Sequence, residues 1–356
     1  MLGDGEGRRQ HDPRGDRLGS APGAHGGDGA MSTTPLAIEV PRAPVGEAIE
    51  SFFVWLTTNL GAFFDAISET LDFVVDGLIE LLQAPDPVIL AVVFALLGLL
   101  ADGWRLGLIS LLGLLFVISM DQWDAAMQTL ALVLVSTVVA VLVAIPLGIW
   151  AASSGRASAV LRPIMDLMQT MPAFVWLVPV VTLFSIGVVP GVVATIIFAL
   201  PPGVRLTELG IRNVDHEIVE ASHAFGSTPR QTLFGVQLPL AIPTIMAGVN
   251  QVIMLALSMA VIAGLVGAEG LGGAVTAAIA TLNIGLGFEA GLSVVVLAIY
   301  LDRVTASIGH RKGGRVLGRL RRRRSRAAAE VDSVDDETRQ EEEPAVPDQL
   351  RTKIGA

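Results

Sequence analysis

Residues 220–240 read EASHAFGSTPRQTLFGVQLPL, a polar, glycine-punctuated segment with apolar stretches long enough to cross a bilayer on both sides. Its own signals describe two short helices. Asp215 is placed to cap the first, with Glu217 in the first turn, where a carboxylate faces the positive end of the helix dipole. Ile218, Ala221, Ser222 and Phe225 follow at i, i+3, i+4 and i+7, which is one helical face. Gly226 stands where left-handed dihedrals end a helix at least cost. Ser227 or Thr228 caps the second helix and Pro229 suits its first turn. Leu233, Phe234 and Val236 then carry the chain through Leu238-Pro239 into the next apolar run. A floppy connector needs none of these caps, so the expectation is a compact helix–turn–helix knob joined stiffly to a span.

The flanking sequence sets the fold class. The chain has 356 residues, 52% of them apolar, and its charges gather at the two ends. Between 87 and 303, apolar runs alternate with short charged or Gly/Pro breaks, the pattern of an all-α, polytopic helical membrane protein. A soluble fold would scatter charge along every amphipathic helix, and an outer-membrane barrel would show alternating strands of about ten residues. Seven spans are expected: Pro87 to Ala101 and Trp104 to Met120 as a tight hairpin, Met127 to Ala151, Pro163 to Val189, Gly191 to Leu206 interrupted at Pro201-Pro202, Val236 to Val266, and Phe288 to Leu301. The segment GAEGLGGAVTAAIATLNIGLG reads as a loop. The chain has no cysteine, which excludes a disulfide framework, a thiolate nucleophile and a cysteine-ligated metal.

Five regions follow. Residues 1–45 form a Gly-, Arg- and Asp-rich tail that cannot bury a core. Within it Met31 opens a more ordinary sequence and is read as the true start, which intact-mass measurement tests. Residues 46–86 are amphipathic and suit one or two helices at the membrane interface. Residues 87–126 are the hairpin, 127–307 the core with the polar knob at 213–239, and 308–356 a basic and then acidic tail. Arg105, Arg156 and Arg162, then Arg205, Arg212 and Arg230, then the run from Arg311 to Arg326 mark alternate sides of successive spans. The positive-inside rule then puts the knob and the C-terminus in the cytoplasm and the N-terminus outside. The basic run is expected to contact anionic lipid.

The knob also carries a resemblance. Glu220-Ala221-Ser222, three residues, Gly226, nine residues, then Val236-x-Leu238-Pro239 resembles the EAA loop of ABC importer permeases, with Ser222 in place of alanine and Val236 in place of isoleucine. From about Met127 to Ser307, the sequence is similar to the permease of the glycine betaine/proline (quaternary amine) uptake family. The resemblance implies a type I ABC importer transmembrane domain in a bacterial or archaeal cytoplasmic membrane. It implies a homodimer of permeases, a separate ATPase subunit that takes the knob around Glu220 and Gly226, and an extracytoplasmic substrate-binding protein. Imported betaine, or a solute such as choline, proline or carnitine, would counter osmotic stress. ATP-Mg would be held by the ATPase, because this chain has no G-x-x-x-x-G-K-[ST] phosphate loop. No cofactor and no nucleic acid is expected on this chain. Glu269 departs from the small residue expected in the Gly-rich segment.

His216, Glu220 and His223 share a helical face at a spacing that could ligate a metal, but a partner-docking face explains them as well and no metal is expected. Asn250 and Gln251 are amides inside a span, where an unbonded amide is costly. They either line a pathway or tie helices together. Phe174 and Trp176 follow Pro172 and could face a cationic substrate, or simply pack. A stand-alone channel or secondary transporter would need mid-span coupling carboxylates, which are nearly absent. An intramembrane enzyme would need a constellation such as H-E-x-x-H, which is missing.

Overall fold

A computed structural model describes residues 44–307. The two tails, with Met31 and the basic run, lie outside the described residues. Every element among the described residues is helical. In chain order they are α1 (Val45–Gln83), α2 (Pro87–Asp102), α3 (Trp104–Ser119), α4 (Trp123–Ser153), α5 (Gly155–Thr170), α6 (Ala173–Phe184), α7 (Val188–Arg212), α8 (His216–Ala224), α9 (Pro229–Thr232), α10 (Leu238–Ala263), α11 (Leu271–Thr281) and α12 (Ile284–Ser307).

Four of the described helical runs are long and apolar enough to cross a membrane alone: α4, α7, the continuous run Pro229–Val266 and α12. The hairpin is present as two helices of 16 residues each, divided by Gly103 at φ +92°. At 1.5 Å per residue each is about 24 Å long, short against a hydrocarbon core of about 30 Å.

The amphipathic region is one 39-residue helix bent at Leu60, and it carries three faces. Val75 and Leu82 are buried, Phe63, Phe73 and Leu81 are exposed, and Asp65, Glu69, Asp72, Asp76 and Glu80 line the remaining side in the open. An apolar outer face beside an acidic one is what a helix at a lipid–water boundary requires.

Three expectations are corrected. Pro163 to Val189 is not one span: α5 and α6 meet at a 100° bend. Met171 is extended (φ −70°, ψ 135°) because a following proline disfavours the helical region, and Pro172 is extended too. Nor do Pro201 and Pro202 interrupt α7, which runs on to Arg212. Both prolines are buried, and packing against neighbouring helices supports the turn whose N–H groups they lack. Finally, the segment read as a loop after Gly267 contains α11.

The core is α7 clasped between α4 and α10, and small residues set the approach. A Cβ placed on Gly148 would lie 2.5 Å from Thr207 Cβ, and one on Gly203 would lie 2.8 Å from Ala144 Cβ. On the other side, a Cβ on Gly248 would lie 3.0 Å from Leu206 Cβ. This is the close approach that packs helices where lipid gives no hydrophobic drive. The turn into α11 is as tight, since a Cβ on Gly272 would sit 2.5 Å from the Ala260 carbonyl oxygen. The Thr129 hydroxyl accepts the Leu271 N–H at 2.8 Å and pins the start of α11 to α4. Glu269 in the same turn accepts from Gln128 Nε2 at 2.7 Å, so its carboxylate ties the Gly-rich loop to α4.

Candidate coupling site

The knob is built as its sequence dictates. Asp215 accepts the Glu217 N–H at 3.0 Å and opens α8. Gly226 has φ +82°, and the Gly226 and Ser227 N–H groups donate to the His223 and Ser222 carbonyls at 2.9 and 3.1 Å. That pair of bonds is a Schellman stop. Thr228 caps α9 in a reciprocal box with Gln231. From Leu233 to Gln237 the helix widens into one π turn, closed by the Leu238 N–H on the Leu233 carbonyl. Pro239 then enters α10 without a break, so knob and span form one run from Pro229 to Val266.

The structure brings Glu220, Ala221, Ser222 and Gly226 together on α8 and its stop. Val236, Leu238 and Pro239 lie at the root of the rod. None of the residues in α8 is buried. Phe225 is 91% exposed and Ile218 42%, an apolar tip on a polar segment. Beneath the knob lies a cleft of about 420 Å³, lined by Arg212, Val219, His223, Arg230, Leu233 and Gln237 among others. Ser222 explains itself: its hydroxyl lies 3.1 Å from that of Thr232, which is buried, and so fastens α8 to α9. His216 Nδ1 pairs with Glu220 at 3.1 Å, whereas His223 Nδ1 faces the Ser227 carbonyl at 3.3 Å. The three side chains do not converge, and no group of three ligating side chains occurs among the described residues.

A sequence model of the binding-protein-dependent transport system inner membrane component family matches residues 144–313. The glycine betaine transport system permease protein OpuAB of Bacillus subtilis is 48% identical over 78% of this chain and 98% of its own length. The chain belongs to this family of inner-membrane transport components. Glycine betaine/proline betaine transport system permease protein ProW of Escherichia coli is also 48% identical, over 72% of each chain. The glycine betaine/carnitine transport permease protein GbuB of Listeria monocytogenes is 46% identical over 77% of this chain and 95% of its own. The 276 residues aligned with OpuAB exceed the span Met127 to Ser307, so the likeness reaches into the N-terminal helices. This transport component is thus a multi-pass inner-membrane permease subunit of a binding-protein-dependent system.

In the permease the amides part company. Asn250 Nδ2 donates to Asp302 at 2.8 Å and ties α10 to α12. Gln251, one residue on, points to the exposed face of α10 with Ala247, Met254 and Ser258. The Trp176 N–H donates to the Met168 carbonyl at 3.2 Å and staples α6 across the bend onto α5. Phe174 is 55% exposed on α6.

One group escaped the sequence. Glu208, 6% exposed, accepts on a single carboxylate oxygen from Ser158 Oγ at 2.7 Å, Arg162 at 3.1 Å and Arg212 at 3.0 Å. Those arginines had served only to count positive charge. The available signal was Arg205, Glu208 and Arg212 at i, i+3 and i+7, one face of α7.

Proposed function

We propose that this permease is the transmembrane subunit of an ATP-driven importer of glycine betaine or a related quaternary amine. The observation that carries the reading is the knob: a short, exposed helix with a hard stop at Gly226, continuous with a membrane rod. It stands in a chain 48% identical over nearly the whole of OpuAB, which is named for glycine betaine. A separate ATPase subunit receives the knob. Phe225 and Ile218 supply the apolar anchor that fills a pocket on that partner, because a large side chain wholly in water gains most on docking. Glu220 and His216 form the polar rim.

Two copies of the permease enclose the pathway, and the knob and C-terminus face the cytoplasm. Gln251, Met254 and Ser258 line the open face of α10, with Phe174 and Trp176 at the mouth made by the α5–α6 bend. The aromatic content is only 5%, which favours a selective aromatic cage on the extracytoplasmic binding protein.

The test is ATP-dependent uptake of labelled glycine betaine, choline, carnitine and proline by the complex in proteoliposomes, with site-specific crosslinking from Phe225. Uptake of a quaternary amine and capture of the ATPase are expected. Uptake without ATP, or crosslinks that never reach an ATPase, would overturn the reading in favour of a stand-alone carrier.

A further inference from the structure

We infer that Glu208 is a positioning residue for energy coupling: it clasps α5 to the root of the knob, so that a push on α8 moves the bent α5–α6 pair. The inference rests on the coupling role proposed for the knob.

The knob hangs from the last turn of α7, where Arg212 is three residues from Asp215. The Nε of Arg212 bonds Glu208, and Nη2 donates to the Ala151 carbonyl at 2.8 Å. That carbonyl is one of the four at the end of α4 that no helical N–H reaches. One arginine therefore fixes the root of the knob to both α7 and α4. The same carboxylate oxygen takes Ser158 and Arg162 from α5, two residues one turn apart. Further along, Arg205 of α7 pairs with Asp166 of α5, and its Nη1 donates to Gln169 Oε1 at 3.0 Å. Each polar link between α5 and α7 thus involves charge, and the one next to the knob converges on a buried carboxylate.

Burial makes the link stiff. Glu208 has a side chain 8% exposed, where water competes poorly for its bonds, whereas Arg162 is 63% exposed. The α5 end also has few alternatives: its buried residues are Ala157, Ser158, Leu161 and Met165, small or apolar apart from the one serine that Glu208 uses. Motion arriving at Arg212 is passed through Glu208 to α5. The Trp176 staple then carries it across the 100° bend to α6.

The experiment uses the whole complex, with ATPase and binding protein, in proteoliposomes, and measures uptake and ATP hydrolysis on one sample. In Glu208→Gln and in Arg162→Gln, ATP hydrolysis is expected to persist while uptake per ATP falls about tenfold. The double variant is expected to be no worse than Glu208→Gln alone, since both break one link. The Arg162 side chain is 63% exposed, so its variant folds and decides the matter if Glu208→Gln does not. An uptake-to-ATP ratio unchanged in Arg162→Gln, or two losses that simply add, overturns the proposal and leaves Glu208 a merely structural group. Failure of the wild-type complex to couple any uptake to ATP would instead sink the functional reading above it.

Discussion

Substitution at Gly226 separates the folding of the knob from its use. The residue has φ +82°, and a Cβ there meets nothing within 4 Å. A side chain therefore brings backbone strain and no collision. For an ordinary L-residue the strain is about 1–2 kcal/mol, and for Asn or Asp it is less, because a short polar side chain bonds locally. Aspartate adds a negative charge just beyond the C-terminus of α8, unfavourable by roughly 0.3–1 kcal/mol. The sum for Gly226→Asp is about 1–2 kcal/mol. It falls on a nine-residue helix with no buried residue. Gly226→Asn is the control, with nearly the same volume and strain and no charge. Uptake into proteoliposomes, melting in detergent and recovery of the ATPase on an affinity column are measured on both. Melting is expected to fall by no more than about 2–4 °C. Asn is expected to retain uptake, whereas Asp abolishes it and releases the ATPase. Wild-type uptake by Gly226→Asp refutes the coupling role, and a collapse in melting temperature refutes the claim that the knob's strain stays local.

Ser222→Ala restores the alanine of the resembled motif yet leaves the buried Thr232 hydroxyl without that partner, a loss of about 1 kcal/mol. Proteolysis between 224 and 228 is expected to quicken a few-fold, and an unchanged rate shows that the bond does not hold α8 to α9. Gly272→Ala places a Cβ 2.5 Å from the Ala260 oxygen, so α10 and α11 must separate. The cost is about 1–3 kcal/mol, and an unaltered melting temperature would contradict the packing. Asn250→Leu should lower melting by removing the tie between α10 and α12, at about 1 kcal/mol, since Asp302 is partly exposed and keeps Arg303 at 3.9 Å, whereas Gln251→Leu should leave melting alone and reduce uptake. The reverse pattern assigns the two amides wrongly.

The knob was legible because each of its signals is local. Asp215, Gly226, Thr228 and Pro229 act on backbone groups within a few residues, and all four take the positions their chemistry demands. Span existence was legible for the same reason that hydropathy works: a bilayer leaves a helix few alternatives. Direction was not. Averaged over a window, Pro163 to Val189 is apolar throughout, and nothing in that average registers the turn at Met171-Pro172. The α11 segment was missed because Gly272, Gly273 and the following alanines look like a linker, although their smallness is what lets α11 lie against α10. Glu208 was missed because Ser158 and Arg162 lie about 50 residues away on α5, and only the fold brings them, with Arg212 of α7, to one oxygen. Asn250 and Gln251 could be named from sequence but not told apart until the phase of α10 was known.

The wide turn at Leu233–Gln237 has a mechanical consequence. A π turn holds one residue more than an α turn, and each residue of an α-helix advances the azimuth by about 100°. The extra residue is therefore absorbed within the turn. Deleting a single residue there would tighten the turn to α and leave the handle nearly in phase with Gln251, whereas the same deletion in the regular helix just beyond would swing it by about 100°.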